Sequence, residues 1–361
     1  MLRILFVGEN WHGSNARACS EALRRLGCDV LDIDLQSSFP QVNLFTSRIV
    51  RRVFWSRLVD EFNIQILKAA ESFCPDVFFA YKGNWIHRST LKSIKRHEIP
   101  LYNYYPDTSA FAHGKWLPLS LPEYDCIFHT KPFWYDDVSK QIKLKSGVFL
   151  PHGYNPGLHR PLELDERDIS EYRCDVSFIA SHTQYKEQLL DRLISLRPDL
   201  NLCIWGNRWK DSSESSKLRR CIKGFPLIGE RFVRAILAAR INLAIMSGVV
   251  RGASSGDLTT SRSYAIPAAG GFMLHERNSE VLDLYHEGKE IACFESVEEL
   301  ADKIDYYLAH PAEREKVARA GHLRCVPAYS YDNRMAKILR WHFEHWAHKE
   351  RDVFLPKVEV S

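Results

Sequence analysis

No apolar run in these 361 residues approaches the roughly 18 that a membrane-spanning helix needs, so any contact with a bilayer is expected to be peripheral. The opening MLRILFVGENW turns polar too early for a signal peptide. Nine cysteines (Cys19, Cys28, Cys74, Cys126, Cys174, Cys203, Cys221, Cys293, Cys325) occur without one CxxC and in odd number. That excludes a disulfide scaffold or a zinc ribbon and points to reduced thiols, in the cytoplasm or at the inner face of the membrane. There is no GxGxxG either: Gly8 and Gly13 are separated by four residues, which argues against a dinucleotide loop. HExxH is missing, His342, His345 and His348 reading as surface residues of a last helix, and Asp32-Ile-Asp34 has no third ligand. Neither a metal nor a resident cofactor is therefore expected. Nor is charge of one sign in excess, since 49 basic against 45 acidic residues leave +4. Nothing calls for a nucleic-acid partner, although Arg48, Arg51, Arg52 and Arg57 supply a local basic patch.

With 45% hydrophobic and 26% charged residues, the chain has the composition of a soluble globular protein long enough for two domains. Leu2 to Val7 is a buried strand ending at Gly8, Ser14 can cap a helix that stops at Gly27, and Asp29 to Leu35 alternates as a second strand. This βαβ opening predicts a parallel sheet. Arg48 to Phe73 reads as a helix, and strands follow at Asp76 to Tyr81, Leu101 to Tyr105, Tyr124 to His129 and Gly147 to Leu150. Trp85, Tyr104, Tyr105, Phe111 and Trp116 crowd the strand ends, where α/β sheets bind ligands, and are expected to face a cleft. LPHGYNP, Leu150 to Pro156, reads as a linker. A second α/β unit follows, with strands at Asp175 to Ala180, Leu202 to Trp205, Ile241 to Met246, Phe272 to Leu274 and Glu290 to Phe294, and a last helix over Tyr331 to Lys349.

The stretch DLTTSRSYAIPAAGGFMLHE, Asp257 to Glu276, organises this half. Thr259, Thr260, Ser261 and Arg262 precede an apolar helix, and Gly270-Gly271 turns it into a strand. Hydroxyls, a guanidinium and free helix-start N–H groups suit a phosphate without a metal. A capped helix with a surface arginine has the same signature. The run RSYAIPAAGGFMLHER, followed by VLDLYHEGKEIACFESVEELADKIDYYLAHPAEREKVARAGH, resembles the C-terminal signature of the spore-maturation CgeB-like glycosyltransferases, relatives of the group-one glycosyltransferases with the GT-B fold. The resemblance covers about Arg173 to Tyr331 well and the first half in outline.

It implies an α/β protein of GT-B architecture with two Rossmann-like domains facing an interdomain cleft. Residues 1–155 would form the acceptor side, 156–330 the nucleotide-sugar donor domain, and 331–361 a helix returning to the first domain, with a tail. The implied activity is transfer of a sugar from a nucleotide-diphosphate donor, the substrate, to a glycan, lipid-linked or protein acceptor, with retention of configuration. In similar retaining enzymes two glutamates bracket the donor, and alignment on Gly270-Gly271 puts these positions at Asp257 and Ala265. Ala265 cannot hold a ribose hydroxyl, which leaves Tyr264 or Glu276 to do so, or makes the protein a non-catalytic nucleotide-sugar-binding protein. Arg262 and Lys186 are expected to hold the diphosphate, with Thr260 and Ser261 beside them. Gly13 and Ser14, at a helix start, could touch the phosphates from the other domain. Asp107 is the candidate acceptor-side base and His113 the second. Gly206 to Trp209, or Gly224-Phe225, would meet the nucleobase.

Overall fold

The computed structural model describes residues 1–39, 48–209 and 216–346. Among these, two all-parallel sheets form around short apolar strands. The first holds β1 (Arg3–Gly8), β2 (Asp29–Asp34), β3 (Val77–Tyr81), β4 (Leu101–Tyr105), β5 (Cys126–His129) and β6 (Gly147–Phe149), in the order β2-β1-β3-β4-β5-β6. The second holds β7 (Cys174–Ile179), β8 (Leu202–Trp205), β9 (Ala239–Ala244), β10 (Met273–Glu276) and β11 (Ala292–Phe294), in the order β11-β10-β9-β7-β8. Each sheet therefore reverses its winding once, at β1/β3 and at β7/β9, and such switch points are where open α/β sheets take ligands.

Strands covered on both faces read as continuous apolar runs and the edge strand β2, DVLDID, as an alternating one, and all eleven fall within about two residues of their sequence positions. Leu5, Val7, Phe78, Ala80 and Leu101 build the first core with Val59, Phe62 and Ile66 from the helix Arg48–Phe73. Val176, Phe178, Ile204, Ile241, Leu243 and Leu274 build the second with helix residues such as Leu190 and Leu300.

The chain divides into two units. The first comprises Met1–Pro151, Val249–Ser255 and the segment from Asp332 onward; the second comprises His152–Gly248 and Gly256–Tyr331. The visit of Val249–Ser255 to the first unit has no counterpart in the sequence reading, because a polar, glycine-containing loop carries no periodicity. It is held there by Ser109 Oγ donating to Arg251 O (2.7 Å) and by Ser254 N donating to Asp137 Oδ2 (2.6 Å).

The last helix, Tyr331–Trp346, sets Trp341 edge-on to Phe128 at 5.7 Å and to Tyr102 at 5.5 Å. His342 is not the surface residue expected. It is buried, its Nδ1 lies 2.8 Å from Tyr102 Oη, and burial pushes it down to about 4. His348 and the end of the helix expected to Lys349 lie outside the described residues, as do the side chains of Arg48, Arg51 and Arg52. No helix among the described residues is long and apolar enough to cross a membrane.

Candidate functional site

The carboxyl ends of β7, β9 and β10 assemble the densest group of unusual charges in the second unit. After β7, Thr183 caps the helix Gln184–Leu196, accepting from Lys186 N at 3.4 Å, which places Lys186 in the buried first turn. Its Nζ donates to Ser247 Oγ beyond β9 (2.9 Å) and lies 3.4 Å from Ser181 O. Arg262 opens the helix Arg262–Ala269 and reaches back to β9, where Nη2 donates to Ile245 O at 2.9 Å and the guanidinium sits 5.7 Å from the Phe178 ring centre. Its Nε is buried and has no partner among the described residues, and neither has the buried Thr260 Oγ1.

The surface-arginine alternative is thereby removed, since Ser261 makes no side-chain cap and Arg262 turns inward. Gly270 closes the helix with φ 92°, and a Cβ on Gly271 would stand 2.5 Å from Ile236 Cγ2, so the pair is required for the turn into β10.

Burial, then repulsion from Arg262, brings Lys186 down to about 8, against the pull of Asp257 and Glu276. Arg262 is lowered to about 10 by burial, with Asp257 opposing. Two cations thus share a partly desolvated site and leave a donor unused, an arrangement that an anion relieves. Glu276 closes the rim at the end of β10. One oxygen accepts from Met246 N at 2.8 Å and the other from the Tyr185 hydroxyl. Behind it, His275 donates from Nδ1 to Glu276 O and accepts from Ser263 Oγ at Nε2 (2.8 Å), and burial holds it near 4, hence neutral.

Lys186, Arg262, Asp257 and Thr260, chosen from the sequence, are therefore neighbours. Tyr185 and Ser247 were missed, being single polar residues without a pattern around them. Other expectations land in packing. Tyr264 is fully buried beside Tyr329 and presents nothing to a ligand, and Ala265 is 1% exposed. Gly206 answers to backbone crowding, because a Cβ there would fall 2.0 Å from Ala180 O. Trp209 is buried and donates to the same carbonyl. Phe225 is exposed beneath the Arg231 guanidinium (5.2 Å), and its carbonyl accepts from Gly206 N.

In the first unit, Gly13 is left-handed at φ 96°, and Ser14 caps the helix Asn15–Arg25 while its hydroxyl donates to Glu9 O. Tyr104 and Tyr105 are wholly buried, their hydroxyls donating to Pro151 O and Ser109 O, so they do not face a cleft. Trp85 packs on Phe39 and Trp55, and Trp116 on His87. Asp107 and His113 do meet: Asp107 Oδ2 lies 2.8 Å from His113 Nε2 and 2.7 Å from Lys82 Nζ. Asp32 is taken up by Ser20 and Arg24, and Asp34 caps the short helix Leu35–Ser38. Among the described residues, no group of three or more His, Cys, Asp or Glu side chains could hold a metal ion.

A family model described as glycosyl transferase-like matches residues 183–340, which include this site. Over that stretch the chain is similar to the glycosyl transferase-like family, and its likeness to the CgeB-like glycosyltransferases falls there. Spore protein CgeB of Bacillus subtilis (strain 168) is 29% identical over 82 residues, 23% of this chain and 24% of that protein, so the match spans about a quarter of that relative's length. Among solved structures, the sucrose-phosphate synthase (tll1590) of Thermosynechococcus elongatus superposes with a TM-score of 0.66 at 12% identity, covering 97% of this chain and 100% of that one. Anabaena Alr3699/HepE in complex with UDP-glucose gives 0.64 at 10% identity, covering 94% and 100%. The chain thus has the α/β GT-B fold expected of it.

Proposed function

We propose that the protein is a metal-independent glycosyltransferase that moves a hexosyl group from a nucleoside-diphosphate sugar to a glycan, lipid-linked or protein acceptor, with retention of configuration. The observation that carries this is the pairing of buried Lys186 with half-buried Arg262 at the β7/β9 switch point, with the buried Nε of the guanidinium left without a partner among the described residues. Cleavage of the sugar–diphosphate bond leaves negative charge on the departing oxygen, and two fixed cations stabilise it without a metal. Asp257, which acts on both cations, is the carboxylate that this reading turns to the sugar, from its alignment on Gly270-Gly271. Glu276, held by Tyr185 and Met246, offers the carboxylate that Ala265 lacks. The solved relative with UDP-glucose supports a nucleotide sugar as the ligand class. Nine free thiols, eight of them buried, suit the cytoplasm, where such donors are made available at the inner face of the membrane.

The test is release of nucleoside diphosphate from a panel of nucleotide sugars, with and without EDTA. Release is expected at an unchanged rate in the chelator, and a strict need for Mg²⁺ or Mn²⁺ would contradict metal independence. Tight binding with no release in any arm would favour the second reading, a non-catalytic nucleotide-sugar-binding protein, for which the buried Ala265 is the motive.

Lys186 gives this reading a pH signature. It is charged below about 8 and neutral above, whereas a bound diphosphate favours the charged form. Affinity for UDP is expected to fall as pH rises from 8 towards the ordinary lysine value of about 10.4, by up to about tenfold per unit. Binding in that window takes up a proton, which calorimetry in buffers of different ionisation heat detects. Lys186→Met should abolish the dependence, and a dependence surviving in that variant would assign it to another group.

A further inference from the structure

The edge of the first sheet carries a cavity of about 320 Å³ between β6 and the helix Tyr331–Trp346, and every residue lining it belongs to the first unit. β6 is the last strand in the order of its sheet, so no further strand among the described residues covers its outer side. Its final residue, Phe149, is left 41% exposed, where most phenylalanines are buried. On the helix, Lys337, Arg340, Trp341 and Glu344 follow one another at i, i+3, i+4 and i+7, which sets them on one face. Ile338, Leu339 and His342 on the other face are buried, and their packing holds that orientation.

The two sides of the cavity differ in chemistry. Its apolar wall is built of rings: Phe128 from β5, Phe149, and Trp341, whose plane is fixed edge-on to Phe128 and stacked on His345 at 4.1 Å. Its charged side is cationic. Burial, then repulsion from Arg334 and Arg340, lowers the pKa of Lys337. Neither Lys337 nor Arg340 has an ion pair among the described residues, and Glu344, the acid of the lining, bonds to neither. Asp332, an acid at the start of the same helix, is taken up by Arg25. Like charges three residues apart on a helix repel, and an anion set between them removes that repulsion. The volume falls in the range of small-molecule sites, about 300–1,000 Å³.

We propose that this cavity binds a small aromatic anion, its ring against Phe149 and Trp341 and its anionic group on Lys337 and Arg340. Rings in the wall favour an aromatic body over a neutral or bare ion, since edge and offset contacts add to simple burial. A guanidinium also stacks on a ring while it bonds an oxyanion, so Arg340 serves both parts of such a ligand. The site is independent of the transferase reading, because none of its residues takes part in holding the donor.

The experiment is calorimetry on the full chain with 1-naphthyl phosphate, with 1-naphthol and inorganic phosphate as its two halves. The wild type is expected to bind the naphthyl phosphate and to bind each half at least about tenfold more weakly. Lys337→Gln combined with Arg340→Gln, and separately Phe149→Ser, should each lose about tenfold or more at an unchanged melting temperature, while Arg262→Ala keeps the affinity. A wild type that ignores naphthyl phosphate, or variants at the cavity that bind it as the wild type does, would overturn the proposal. Equal affinity for inorganic phosphate would deny the aromatic wall a role, and equal affinity for 1-naphthol would deny the cations theirs; either result overturns it. Loss in Arg262→Ala alone would move the ligand to the diphosphate site. Sedimentation with phosphatidylglycerol vesicles that the cavity variants abolish, without naphthyl phosphate binding, would make this face a membrane contact instead.

Discussion

Arg262→Ala is expected to weaken nucleoside-diphosphate binding by one to two orders of magnitude, the equivalent of about 1.5–3 kcal/mol for a lost charge-assisted contact. The substitution removes the guanidinium whose buried Nε has no partner among the described residues, and with it the cation that repels Lys186. It does not leave the fold untouched. Ile245 O loses its side-chain donor and Phe178 the group above its ring, so stability should drop as well, by about 1–3 kcal/mol. Arg262→Lys separates the two effects: the charge stays while the fork that reaches both Ile245 O and a ligand is lost. UDP affinity by calorimetry beside the melting temperature of both variants checks this. Affinity unchanged in Arg262→Ala would remove the residue from the site.

Ala265→Glu carries the largest expected loss of stability. Ala265 is 1% exposed, in a helix whose Tyr264, Ile266 and Ala268 are also buried. A glutamate there would be desolvated among buried residues of the same helix. An uncompensated buried charge costs on the order of 3–5 kcal/mol, which at about 2–4 °C per kcal/mol for a unit of this size lowers the melting temperature on the order of 10 °C. A carboxylate at this position is thus expected to harm the protein. An unchanged melting temperature with tighter nucleotide binding would show that position 265 faces the donor.

Where the sequence was legible, a strong physical signal stood behind it. Buried parallel strands are short apolar runs bounded by polar turns, and the edge strand β2 alternates, so β1 to β11 could be located without knowing their order. Arg262 could be marked from the polar run ahead of its helix and Lys186 from the family resemblance, and parallel topology then brings the two to one end of the sheet. Burial of a single polar or aromatic residue has no such signal. Tyr104 and Tyr105 end a strand, as site residues do, yet their hydroxyls are satisfied by carbonyls inside the core. His342 has the spacing of a surface histidine and is fixed on Tyr102 instead. Lys82 was overlooked because its backbone is left-handed, at φ 69°, and its place against Asp107 has no sequence pattern. The loop Val249–Ser255 shows the same limit at the level of domains, since two hydrogen bonds, not a periodic pattern, assign it to the first unit.

The most direct test of the central claim, that Lys186 and Arg262 together hold a nucleoside diphosphate, is a calorimetric double-mutant cycle with UDP on the wild type, Lys186→Met, Arg262→Ala and the double variant. Groups that share one diphosphate couple, by about 0.5–3 kcal/mol where they act on the same contact. The account predicts binding by the wild type, at least about tenfold loss in each single variant, and a double variant that loses clearly less than the sum. Equal UDP affinity in all four proteins, or a wild type that ignores UDP and binds NADH, would contradict it.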